Sequence, residues 1–181
     1  MAPGWQVVLV APEIAANTGN VIRLCANVGA RLHLVEPLGF ALDERRLRRA
    51  GLDYHELTTV AVHADLTACL ASIAWGPSQC FALSGRGRRR YDEVAFRGDE
   101  VFVFGAERAG LCEADWARFA PAQRLGIPMR PGNRSLNLAN AVAVVLFEAW
   151  RQHGFAGSAD PLTSEATLSE TPGGPGVPAI S

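Results

Sequence analysis

The sequence predicts an α/β protein with a mainly parallel sheet covered by helices on both faces. Two observations predict it. Short unbroken runs of aliphatic and β-branched residues recur along the chain, as strands buried on both faces require. Stretches with helical spacing separate them, which is the alternation of parallel α/β folds. At 181 residues and 49% hydrophobic content, the chain is long enough for one domain with a substantial core.

The elements follow in order. "WQVVLVAP" (5–12) reads as a buried strand. "NTGNVIRLCANVG" (17–29) then opens a helix at Asn17. Its second half places Val21, Leu24, Cys25 and Val28 at helical spacing. Its first half carries Asn17, Thr18, Gly19, Asn20 and Arg23, polar residues at a strand-to-helix junction. "RLHLVEP" (31–37) is a strand ended by Pro37, and "DERRLRRAG" (43–51) a short basic helix stopped by Gly51. A strand over 57–63 precedes a helix over 64–73. Strands follow at "CFALS" (80–84) and "EVFVFG" (100–105), then a helix over 106–119 with a polar start. "RLGIPM" (124–129) is the last strand. The longest helix spans 135–154, with Ser135 as its N-cap and Gly154 as its stop. Residues 1–155 form the domain; 156–181, rich in Gly, Pro and Ser, read as a flexible tail.

Composition excludes several classes. No apolar run approaches the roughly 20 residues of a membrane helix. No basic region precedes the first apolar run, so a strand is expected there, not a signal peptide, and the cytoplasm is the expected compartment. All 17 basic residues are arginine; with no lysine, neither a Walker-type phosphate loop nor a Schiff base is available. Cys25, Cys69, Cys80 and Cys112 are scattered without a CxxC, and His33, His55, His63 and His153 lack ligand spacing, so no metal site is expected. A strict GxGxxG, a GxSxG and an HExxH are all missing.

Ligands of open parallel α/β folds bind beyond the carboxyl ends of the strands. Three stretches there are polar or glycine-rich: 17–23, "FGAERAG" (104–110) and "IPMRPGNRSLNLANA" (127–141). Gly105, directly after a strand, admits a ligand close to the backbone. Glu107 either caps a helix or meets a ligand. Asn137 and Asn140, three apart, share a helix face, where they either cap and pack or face a polar ligand. Arg45, Arg46, Arg48 and Arg49 lie on one short helix, and Arg86, Arg88, Arg89 and Arg90 in one loop. These clusters are either solvated faces or a basic patch for phosphates.

The three segments, in this order, resemble the three motifs of the SPOUT superfamily of RNA ribose methyltransferases. "EPLGF", "RLRRAGLDYHE" and "EAWRQHGF" narrow the resemblance to the compact branch, the tRNA (cytidine/uridine-34-2′-O)-methyltransferases. The similarity runs from about residue 5 to 157. It implies a C-terminal trefoil knot, which general topological rules do not favour. It also implies a homodimer with active sites near the interface, S-adenosylmethionine as methyl donor, and the 2′-OH of the wobble nucleotide in the tRNA anticodon loop as acceptor. By position, Leu83, Gly105, Ile127 and Ser135 correspond to cofactor-binding loops. Arg23, Asn17, Glu107 and Asn137 correspond to catalytic and substrate-placing residues, and Ser135 also belongs with these polar positions. Arg86, Arg88, Arg45 and Arg48 are expected to contact RNA. Ala106 departs from the motif, which has proline there. The alternatives are a related enzyme acting on another tRNA or rRNA ribose, and a non-catalytic RNA-binding protein of the same fold.

Overall fold

The computed structural model describes residues 4–41, 60–76, 78–133 and 135–159. Among these residues are seven strands: β1 (Gln6–Val10), β2 (Arg31–Val35), β3 (Val60–His63), β4 (Cys80–Leu83), β5 (Arg89–Arg90), β6 (Val101–Phe104) and β7 (Arg124–Gly126). They form one sheet in the order β3-β2-β1-β6-β4-β7-β5, and every strand pair is parallel. Among the described residues four α-helices accompany them: α1 (Ala15–Val28), α2 (Leu66–Ser72), α3 (Glu113–Ala117) and α4 (Leu138–Gln152). The expected basic helix over 43–51, with Arg45 and Arg48, lies outside the described residues, as does most of the expected tail.

Both faces of the central strands β1, β2, β4 and β6 are buried, which is why these strands read as near-continuous apolar runs. Val7, Leu9, Leu32, Leu34, Phe102, Phe104 and Leu125 meet α1 and α4 on one face. Val8, Val35, Cys80, Ala82, Val101 and Val103 meet α2 and the α3 region on the other. α4 presents Val142, Val145, Leu146 and Ala149, at i, i+3, i+4 and i+7, all fully buried. Each such valine or leucine contributes about 1.5–3 kcal/mol relative to an exposed one. α1 buries Val21, Ile22, Cys25 and Val28; Leu24 is only half-buried, so the stripe lies slightly to one side of the expected one. Gly29, at φ +77°, ends α1 in the left-handed conformation that glycine adopts without strain.

Several boundaries differ from expectation, each for a local reason. The expected helix over 106–119 is a tight turn followed by α3. Gly110 at φ +67° cannot continue a helix, and its N–H closes the turn onto the Ala106 carbonyl at 2.9 Å. α4 begins at Leu138, not at residue 135. Its N-cap is Asn137, whose Oδ1 accepts from the N–H of Ala139 at 2.9 Å. Ser135 is therefore not the N-cap of this helix, and Asn137 stands outside the helix that Asn140 occupies. α1 starts two residues before Asn17, and the expected strand over 124–129 ends at Gly126.

The order of the last strands has a consequence. β4 and β5 are consecutive in the chain, yet β7 lies between them in the sheet. Leu83 pairs with Leu125 on one side and Arg89 pairs with the same residue on the other. The connection 84–88 therefore crosses one face of β7. The crossing is a backbone-to-backbone contact: a Cβ on Gly87 would stand 2.2 Å from the Leu125 carbonyl carbon.

Candidate active site

The loops leaving β4, β6 and β7 and the start of α4 enclose a cavity of about 530 Å³. Its wall is built from residues 83–86, 104–110, Ile127, Met129, 135–138 and Ala141, with Ile14 and Asn17 from the entry to α1. It sits at the carboxyl ends of the strands, where strand-to-helix loops diverge.

Asn17, Glu107 and Asn137 form one hydrogen-bonded chain along this wall. Asn137 Nδ2 donates to Asn17 Oδ1 at 2.8 Å, and Asn17 Nδ2 donates to Glu107 Oε1 at 3.0 Å. The backbone N–H groups of Glu13 and Ile14 also donate to the Glu107 carboxylate, at 2.7 and 3.2 Å. In return, Glu13 Oε2 accepts the Arg108 N–H at 3.0 Å. α1 has no side-chain N-cap of its own, because Ile14 occupies that position. The carboxylate of a distant loop supplies the missing acceptor near its entry. Burial pushes the Glu107 carboxyl up, but the Glu13 N–H, the Asn17 amide, its own backbone and the Ile14 N–H outweigh it and hold it below the usual value. Glu107 is thus an ionised organiser of three junctions, and its lone pairs are already engaged by donors.

Gly105 is required by its own turn. A Cβ there would stand 2.1 Å from the Gly110 carbonyl carbon and 2.2 Å from the Leu111 nitrogen. The close approach that the sequence suggested for a ligand is made here by the chain itself. Ala106, in place of the motif's proline, keeps the turn: its carbonyl accepts from Gly110 and the two residues form an antiparallel bridge.

Of the expected site residues, Asn17, Leu83, Arg86, Gly105, Glu107, Ile127, Ser135 and Asn137 lie on this one wall. Arg23 does not. It is exposed on α1 six residues beyond Asn17, about 9 Å further along the axis. Arg86 lines the cavity, but its guanidinium is committed elsewhere. It pairs with Glu113 at 2.6 Å, donates to the Leu111 carbonyl at 3.0 Å and lies 4.8 Å from the centre of the Trp116 ring. Arg89 donates to the carbonyls of Ala122 and Glu93, and Arg90 is paired with Asp92. The expected basic loop is therefore a loop only as far as Arg88: Arg89 and Arg90 form β5 through pairing with β7, and Arg88 is exposed and off the cavity wall. Arg45 and Arg48 lie outside the described residues.

Beyond Leu83 and Ile127, sequence reasoning missed the exposed apolar part of the wall. Ile14, Met129 and Leu136 are exposed large hydrophobics that all line the cavity. The signal was present: Met129 and Leu136 are isolated apolar residues in an otherwise polar loop. Glu13 was missed because nothing in its local sequence shows that it exchanges hydrogen bonds with a turn about 95 residues away.

A parallel α/β sheet with a crossed connection and a mixed apolar and backbone-lined cavity at its carboxyl edge defines a class that family comparison identifies: the chain belongs to the SpoU rRNA Methylase family, whose model matches residues 4–147. Over 155 residues it is 61% identical to the tRNA (cytidine(34)-2'-O)-methyltransferase of Burkholderia pseudomallei (strain 1106a), covering 86% of this chain and 99% of that protein. A solved structure described as giving insight into the 2-OH methylation of C/U34 on tRNA matches with a TM-score of 0.75 and 42% identity, covering 85% of this chain and 93% of that one. The SpoU methyltransferase AviRb from Streptomyces viridochromogenes, in complex with the cofactor AdoMet, shares the fold. Its TM-score is 0.72 at 22% identity, over 87% of this chain and 60% of that one.

Proposed function

We propose that this chain transfers a methyl group from S-adenosylmethionine to the 2′-OH of the cytidine or uridine at position 34, the wobble nucleotide, of tRNA. The observation that carries the reading is the convergence of three distant junctions, through Asn137, Asn17 and Glu107, on the wall of one cavity. The names and high coverage of the relatives support the same activity and acceptor.

The cavity fits a nucleoside-sized cofactor. Ile14, Met129 and Leu136 offer an apolar surface to a flat base. Leu83, Gly105 and Ile127 offer backbone donors and acceptors at its edge, and Ser135 adds a hydroxyl. The cofactor supplies a methyl carbon on a positive sulfur. The protein's part is to aim the ribose oxygen at that carbon, roughly 3–3.5 Å away. Asn137 and Asn17 fix the wall against which the ribose is placed. Glu107 holds those amides in register.

Neither Glu107 nor Arg23 is a free base. Glu107 is saturated with N–H donors, and a guanidinium has no acceptor when charged. We assign Arg23 to a phosphate of the RNA, gripped through its fork of donors, with a phosphate oxygen receiving the hydroxyl proton. A homodimer completes the cleft in this reading. Phe147 on α4 and Phe155 just beyond it are exposed aromatics, clustered with Trp150, that suit a pairing face. The reading includes a trefoil knot, supported by the crossing of β7 by residues 84–88, a catalytic domain ending near residue 155, and action in the cytoplasm, where tRNA is the substrate.

The test is methyl transfer from labelled cofactor to total tRNA, followed by mapping of the modified ribose. Label at the 2′-oxygen of residue 34 is expected. Label at another ribose overturns the acceptor, and failure to bind the cofactor in calorimetry leaves only a binding protein.

A further inference from the structure

Across β1 from the cavity, on the face covered by α2, three potential metal ligands meet. His33 lies in the middle of β2, Cys69 is fully buried on α2, and His63 ends β3, half-buried. One ring nitrogen of each histidine and the Cys69 Sγ all lie within 4.8 Å of one another. His33 Nδ1 and His63 Nε2 are 3.0 Å apart.

The surroundings decide which lone pair faces inward. Gln6 Nε2 donates to the Gly4 carbonyl at 2.9 Å, which turns Gln6 Oε1 towards His33 Nε2 at 2.8 Å. An amide oxygen only accepts, so His33 carries its proton on Nε2 and its Nδ1 presents a lone pair to His63 and Cys69. This is how a ligating histidine is normally held: its far N–H donates to an oxygen that fixes tautomer and ring orientation. In the metal-free protein, His63 fills the gap with an Nε2–H pointed at His33 Nδ1.

We propose that His33, His63 and Cys69 bind a zinc ion, with Gln6 as the residue that orients His33 and a water in the fourth position. Two imidazoles and a thiolate form a set suited to Zn²⁺, whose bonds of about 2.0–2.1 Å to nitrogen and about 2.3 Å to sulfur place tetrahedral ligand atoms about 3.3–3.6 Å apart. The two histidine nitrogens stand 3.0 Å apart and all three donor atoms lie within 4.8 Å, so side-chain shifts without a change of backbone bring them to that spacing. Binding moves the His63 proton to Nδ1 and releases the thiol proton of Cys69 to solvent. His63 is partly exposed, which leaves a route for the ion and the water. The ion ties α2 to the β2–β3 edge of the sheet. None of the three residues lines the cavity, so the ion would stand apart from the candidate active site.

The test uses the full chain purified through chelator and titrated with Co²⁺, then with Zn²⁺. One equivalent of Co²⁺ is expected to bind with a thiolate-to-cobalt charge-transfer band, Zn²⁺ to displace it, and Zn²⁺ to raise the thermal midpoint. Cys69→Ser is expected to abolish the band, and Cys112→Ser, which removes the exposed thiol, to leave it intact. Gln6→Leu is expected to weaken binding about 10–100-fold. If Cys69→Ser does not fold, His63→Gln, at the half-buried edge, carries the same test through at least a tenfold loss of affinity. Transfer of methyl to tRNA by each variant reports that the fold is intact. A wild-type protein without the band, or a band that survives loss of Cys69, overturns the site and leaves a hydrogen-bonded histidine pair.

Discussion

Asn137 performs two tasks with one amide. Its oxygen caps α4, and its nitrogen holds Asn17. The two are separable by substitution. Asn137→Ala is expected to lower stability by about 0.5–2 kcal/mol in urea unfolding, the usual cost of a lost cap, and to abolish methyl transfer. Asn137→Ser is expected to keep most of that stability, because serine also caps, while transfer still falls for want of the bond to Asn17. Equal activity in the serine variant and wild type would remove Asn137 from the site. Glu107 makes a prediction in pH. Its carboxyl is held below the ordinary value of 4.5, so its contribution to stability is present above that value. The contribution is lost as pH falls through the lower, folded-state value. Glu107→Gln is therefore expected to be less stable than wild type at neutral pH and to show a shallower loss on acidification below 4.5, read by unfolding at a series of pH values. The sequence singled out both residues as polar groups at junctions. It could not show that they are partners, because about 90 and 120 residues separate Asn17 from Glu107 and Asn137.

At the scale of elements, the loops after the strands differ in what they tolerate. The 105–111 turn folds onto Gly105, where a Cβ meets backbone at 2.1 Å. Gly105→Ala is expected to cost about 1–3 kcal/mol in thermal or urea unfolding and to weaken cofactor binding measured by calorimetry. Gly85, on the neighbouring loop of the same cavity, has nothing within 4 Å of a Cβ, and Gly85→Ala is expected to be close to neutral in both. Strands were the most legible elements, because a run such as "VFVF" or "CFAL" has nowhere to go but a doubly covered sheet. Helix starts were less legible. Residues 106–112 have helical composition, but Gly110 adopts a left-handed backbone and Glu107 turns to α1, so local propensity yields to contacts made elsewhere.

For the whole molecule, the crossing of β7 by residues 84–88 is a tightly constrained feature. Gly87→Ala places a Cβ 2.2 Å from the Leu125 backbone, where no flexible side chain can give way. It is expected to reduce soluble yield and thermal stability about as much as Gly105→Ala does. A stable, fully active Gly87→Ala protein would contradict the crossing. The proposed homodimer is tested by Phe147→Glu, which puts a charge on the exposed aromatic cluster of α4. In sedimentation it is expected to shift the protein from dimer to monomer and to lose transfer activity while its thermal unfolding stays cooperative.

The sequence by itself determined the parallel α/β class, the places of the main buried strands and the three polar junctions, because hydrophobic periodicity and turn chemistry act over a few residues. Only the tertiary structure decided that β7 enters between two consecutive strands. It alone showed that one carboxylate organises the entry to a helix some 90 residues earlier, that Arg86 is spent on Glu113 and Trp116, and that His33, His63 and Cys69 share a corner. The physical reason is common to all four. Each depends on the packing of segments distant in the chain, and that packing is set by burial of the whole sheet rather than by any local pattern.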